Sequence, residues 1–153
     1  MQKYNNRSEV PEKYKWDLTP FFKDDNEWNT SYDKTFKLID DLANYVGCTK
    51  DANKLYEFLT KQIETIALWE DLYVYAHLVN DQELGISESL IRKNKAEQLE
   101  AMLISNTSFF APELLKLDNI EYEQLFNTND KLLEFKSDLD KTYRDKAHIL
   151  LEN

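Results

Sequence analysis

Glycine and proline are scarce in this 153-residue chain: 2 Gly and 3 Pro. Hairpin-rich β folds need glycine at positive-φ turns, so they are disfavoured, as are collagen-like and linker sequences. No Gly-rich phosphate loop can be assembled from Gly47 and Gly85. Cysteine is limited to Cys48, which excludes an internal disulfide and points to a reducing, cytoplasmic compartment. The longest stretch without a charge covers only residues 101–112, too short for a membrane-spanning helix. Residues 1–8 lack the apolar core of a signal peptide. Histidine occurs twice, at His77 and His148, and neither lies in the H-E-x-x-H spacing of a zinc peptidase. A di-iron bundle needs two Glu-x-x-His pairs, and Asp145-x-x-His148 is a single weak match.

Acidic residues, by contrast, are abundant. Asp and Glu number 29 against 19 Lys and Arg, for a formal net charge of −10. That balance repels phosphate backbones and anionic lipid surfaces, so neither nucleic acid nor membrane is an expected partner. Hydrophobic residues form 42% of the chain and aromatics 13%, enough for a core at this length. The expected fold class is all-α: antiparallel helix hairpins forming a bundle-like domain over residues 24–153, preceded by an arm over 1–23 with a short helical turn.

Residues 2–15 lack a sustained helical period and read as extended. Thr19-Pro20 resembles an N-cap and first helical position, opening a turn through Phe21 and Phe22. Trp16 is the expected anchor of this arm on the helical body. Asp24 and Glu27 form a capping-box pattern before a first long helix, whose apolar face reads as Trp28, Tyr32, Phe36, Ile39, Ala43 and Val46. Gly47 ends it. Thr49 is the expected cap of a second helix running to Asn80–Asp81, and Ser87 that of a third carrying Ile91, Leu99, Met102, Leu103 and Phe110. Pro112 breaks or restarts the helix. Shorter pieces follow, and a last helix from about Asp130 bears Leu132, Phe135, Leu139 and Tyr143, with an Asp140–Arg144 pair.

No catalytic and no metal-ligating residue emerges from this inventory. Cys48 lacks a histidine or basic neighbour to activate it and reads as a small, half-buried residue after a helix end. One aromatic group could be functional. Trp69, Tyr73 and His77, four apart, share a helix face, while Tyr75 points elsewhere; that face is either a wall against a ligand or partner domain, or core packing with polar tips, the commoner arrangement.

Five blocks resemble the opening of the oligoendopeptidase F-type zinc metallopeptidases. Arg7-Ser8-Glu9-Val10-Pro11 with Tyr14-Lys15-Trp16-Asp17-Leu18 is similar to the family's R-x-x-x-P…Y-x-W-D-L arm. Glu27-Trp28, Leu72-Tyr73-Val74-Tyr75-Ala76, Phe109-Phe110-Ala111-Pro112-Glu113-Leu114 and Arg144-Asp145-Lys146-Ala147-His148-Ile149-Leu150 follow in the family's order. Ala147, where proline is common, and Leu151, where serine often stands, depart from the pattern. The resemblance implies that residues 1–153 are the non-catalytic N-terminal region of a chain roughly four times as long. Its zinc, held by two His of H-E-x-x-H and a downstream Glu, would lie in a C-terminal catalytic domain absent here, so no cofactor is expected in this chain. That domain would be a partner and oligopeptides the substrate. This region would form part of the wall restricting peptide access, and its uncovered face could drive self-association. The rival reading is a stand-alone acidic helical interaction module without enzymatic activity. Substrate-binding residues are not assigned.

Overall fold

A computed structural model describes residues 9–82 and 86–144, the side chain of Glu12 excepted. Arg7, Ser8, Gly85, Asp145 and His148, with most of the last resemblance block, lie outside the described residues. Among the described residues the fold is all-α, without strands. The helices are α1 (Asp25–Leu42), α2 (Ala52–Gln82), α3 (Ser87–Thr107), α4 (Phe110–Lys116), α5 (Asn119–Thr128) and α6 (Lys136–Arg144). They form two compact units. The first comprises the described residues up to Lys37 together with Ile66–Ala101; the second comprises Leu38–Thr65 and those from Met102 onward.

In the first unit, residue pairing sets helix direction. Phe22 meets Tyr75 edge-on at 5.2 Å between ring centres, and the Trp28 indole N–H donates to the Leu72 carbonyl at 3.3 Å. Numbers rise on one side as they fall on the other, so the start of α1 runs antiparallel to α2. Trp69 Nε1 donates to the Ala96 carbonyl at 3.2 Å, and Arg92 lies over the Tyr75 ring at 5.7 Å, which gives α2 and α3 the same antiparallel sense. Arg92 is the polar keystone of this unit. Its guanidinium pairs with Asp25 and covers the Trp28 ring at 5.6 Å, so one planar cation satisfies an acid and two aromatic faces. Trp28, Leu72, Ala76, Ala96 and Leu99 fill the core, each 1% exposed or less.

The second unit is built on Phe58, fully buried, whose ring meets Tyr45, Phe109 and Phe110 at 5.3–5.7 Å. Asn106 Nδ2 donates to the Ile39 carbonyl at 3.0 Å. Tyr122 and Tyr143 stack at 4.1 Å, nearly parallel, joining α5 to α6. The Tyr122 hydroxyl donates to Asp140 at 2.8 Å. That bond holds the Asp140 carboxyl below its ordinary value, while burial, reinforced by the same carboxylate, pushes the Tyr122 phenol up. Asp140 pairs with Lys136 at 3.3 Å rather than through the Arg144 guanidinium, whose Nε donates to the Asp140 backbone carbonyl.

Several sequence expectations are corrected. Glu12–Tyr14 forms a 3-10 turn instead of an extended run. Asp17, not Thr19, caps the next turn: its carboxylate accepts from the Thr19 backbone N–H and hydroxyl, and the Thr19 hydroxyl holds the Asp17 carboxyl below its ordinary value. Asp24 does cap α1, accepting from the Glu27 N–H at 2.9 Å, but the Glu27 carboxylate reaches the N–H of Lys23. The inward side of α1 is Trp28, Thr35, Ile39 and Leu42; Phe36, Ala43 and Val46 face outward. Asp51, not Thr49, caps α2, because Thr49 is buried in a 3-10 turn and the Asp51 carboxylate receives the N–H groups of Asn53 and Lys54. At α3 the Ile86 carbonyl opens the helix, receiving the Leu90 N–H, Ile91 is exposed, and the helix ends at Thr107 so that Phe110 belongs to α4. The stretch from Asp130 is a 3-10 segment, Asp130–Phe135, continued by α6.

Trp16 is 57% exposed and does not anchor the arm; Phe22, at 7%, does. Phe22→Ala is therefore expected to cost about 3 kcal/mol in urea unfolding, and Trp16→Ala less than about 0.5 kcal/mol. Equal losses from the two variants would refute the reassignment.

Candidate functional site

The aromatic face on α2 takes the form of a ladder. The Trp69 and Tyr73 ring centres are 5.2 Å apart, and the His77 ring stacks on Tyr73 at 4.1 Å. Spacing of four residues along a helix brings such rings into register. All three residues are half-buried, whereas Tyr75 turns inward at 8% exposure, as its offset of two residues requires. His77 Nε2 is shielded from solvent without a hydrogen bond, 3.6 Å from the Glu97 carboxylate. Glu97 also pairs with Lys93 at 3.8 Å. The ladder thus couples α2 to α3 while keeping partly open ring edges.

A second feature escaped sequence reasoning. Gly47 adopts φ +86° after α1, and its N–H donates to both carboxylate oxygens of Glu113, each at 2.9 Å. A left-handed residue is the ordinary way to end a helical stretch, and glycine adopts it without steric cost. Pro112, the third residue of α4, is compatible with that helix's first turn, and Glu113 follows it. The signal was present as Pro112-Glu113, but nothing local identifies a glycine 66 positions earlier as its partner.

Glu113 also borders a cleft of 1060 Å³ whose charged lining includes Lys50, Asp51, Lys116 and Glu121. Each acid there is engaged by backbone: Asp51 as the α2 cap, Glu121 in a reciprocal capping box with Asp118 at the start of α5. These carboxylates fix helix ends and are not aimed at a common point. Cys48 sits next to the same loop at 2% exposure, fully rather than half buried. Burial, then the Glu113 charge, pushes its thiol up to about 12. A thiol held protonated in this way is a poor nucleophile.

Zinc, which the resemblance implies for a longer chain, finds no suitable donor set among the described residues. Among the described residues no group of three or more His, Cys, Asp or Glu side chains converges to hold a metal ion, and the His77–Glu97 pair falls short of such a group. Among the described residues no helix is long and apolar enough to cross a membrane.

The chain is 31% identical over 150 residues to Group B oligopeptidase PepB of Streptococcus agalactiae, covering 97% of this chain and 25% of that protein. It is 31% identical over 147 residues to oligopeptidase PepF of Bacillus subtilis, covering 95% and 22% respectively. Against the plasmid-encoded oligoendopeptidase F of Lactococcus lactis subsp. cremoris it is 30% identical over 148 residues, covering 95% and 24%. No protein-family model matches the chain, and no solved structure matches it. The chain spans about a quarter of the length of the curated relatives it matches, and it is homologous to that portion of the oligoendopeptidase F proteins.

Proposed function

We propose that this chain is the non-catalytic N-terminal helical region of an oligoendopeptidase F-like metallopeptidase, with residues 24–153 acting as one helical domain behind the arm of residues 1–23. In this reading it forms part of the wall that restricts peptide access to a zinc site on a C-terminal catalytic domain, in the cytoplasm, and it contributes no catalytic or metal-binding side chain. The observation that carries the proposal is identity near 30% across 95–97% of the chain with proteins about four times as long that are named as oligopeptidases. The structure is compatible with it, since the acids lining the cleft beside Gly47 accept from backbone N–H groups and the one described cysteine is buried and protonated.

The test is hydrolysis of short fluorogenic peptides by the longer polypeptide and by residues 1–153 alone. The longer polypeptide should cleave them in a chelator-sensitive way. The 153-residue chain should not, and after dialysis it should hold no stoichiometric zinc. A longer polypeptide lacking residues 1–153 that still folds should accept larger unfolded substrates. Chelator-sensitive cleavage by the chain alone, or an unchanged size limit without it, would overturn the proposal.

A further inference from the structure

In the first unit the ring ladder of α2 adjoins an apolar edge of α3. Leu90 and Glu97, seven residues apart, share one side of α3, and Ile86 immediately precedes that helix. The 3.6 Å approach of Glu97 to His77 brings that side next to Trp69, Tyr73 and His77. Leu90 is 51% and Ile86 47% exposed. Half-exposed rings beside exposed aliphatic side chains, with the Lys93–Glu97 pair on the same side, supply the aromatic and apolar contact area found at interfaces.

We infer that this α2–α3 face is the docking surface for the remainder of the longer polypeptide. The inference rests on the proposed function and deepens it by naming the surface. Two observations choose the occupant. The matched portion is only 22–25% of each relative cited, and a covalently attached remainder acts at an effective concentration that separate partners rarely reach. A formal net charge of −10 sets two copies of this chain against each other, which disfavours a second copy as the occupant.

Hydroxyl-radical footprinting of the longer polypeptide and of residues 1–153 alone tests the assignment. Trp69, Tyr73 and Leu90 should be oxidised at least five-fold more slowly in the longer polypeptide. Leu90→Glu, at a half-exposed position that α3 tolerates, should restore fast oxidation of Tyr73 there; Leu90→Ala should restore it only partly. Circular dichroism of both variants checks that the helices persist, and Tyr73 protection in the unsubstituted polypeptide is read independently of them. Equal oxidation in the two forms overturns the inference, as does protection of the isolated chain that grows with its concentration, which would assign the face to a second copy. A longer polypeptide that protects Tyr73 but cleaves no peptide overturns the peptidase reading alone. If the gene encodes no remainder, both fall.

Discussion

Trp28→Ala is expected to lower the unfolding free energy by about 3–5 kcal/mol, the range for truncating a buried aromatic. Trp28 is 1% exposed, and three interactions converge on its ring. Its N–H donates to the Leu72 carbonyl, Tyr32 stacks on it at 5.4 Å, and the Arg92 guanidinium covers it. Truncation removes the ring and with it the side-chain donor to the Leu72 carbonyl, and leaves Arg92 with Asp25 and Tyr75. For a chain of this size the midpoint should fall by roughly 10 °C or more. Trp28→Phe separates the terms: it keeps most of the volume and loses the hydrogen bond, so it should cost about 1–2 kcal/mol. Urea unfolding monitored by circular dichroism measures both. If alanine costs no more than phenylalanine, packing around Trp28 is not what fastens α1 to α2.

Residues whose local chemistry fixes them were legible in the sequence. Asp24 caps α1 because its carboxylate reaches the Glu27 N–H three residues on, and Gly47 ends the helical stretch because its left-handed backbone favours glycine. Errors arose where two local solutions competed and tertiary packing chose between them. Thr49 and Asp51 are both capping residues; burial of Thr49 in the 3-10 turn leaves the cap to Asp51. On α1, Phe36 lies within the apolar period, yet the neighbouring Thr35 takes the inward position and Phe36 stays 41% exposed. Trp16 and Phe22 are both plausible anchors, and only the partner ring Tyr75 distinguishes them.

The blocks that carry the resemblance fall largely on structural positions. Asp17 caps a turn, Trp28, Leu72, Tyr75 and Ala76 are core, Phe109 and Phe110 pack on Phe58, and Glu113 holds the Gly47 N–H. This explains why the family was legible while a chemical site was not: those residues specify how the helices assemble. Tyr73 stands in the same block as Leu72 and Tyr75 but remains half-open on the ladder, and Tyr14, Trp16 and Val74 of these blocks are exposed.

Cys48 supplies a large and specific pH dependence. Its thiol is pushed from an ordinary 9.0 to about 12, first by burial and then by the charge of Glu113. Ionisation is therefore deferred in the folded chain. Below pH 9 the thiol is protonated whether the chain is folded or not, and this contribution to stability is fully present. Above pH 9 the unfolded chain loses the proton while the folded chain retains it, so stability declines as pH rises and the contribution is spent near pH 12. Three pH units correspond to about 4 kcal/mol in all. The raised phenol of Tyr122 acts in the same direction, so the share due to the thiol is read by difference, from urea unfolding of the parent and of Cys48→Ala between pH 8 and 11. The parent should lose more stability than the variant, the gap widening from pH 9. At pH 8 the same protonation should slow reaction of the native thiol with a disulfide reagent about a thousandfold relative to the unfolded chain. Parallel pH profiles for the two proteins, together with labelling of the folded chain at the unfolded rate, would show that Cys48 is open to solvent and that the Gly47–Glu113 loop does not cover it.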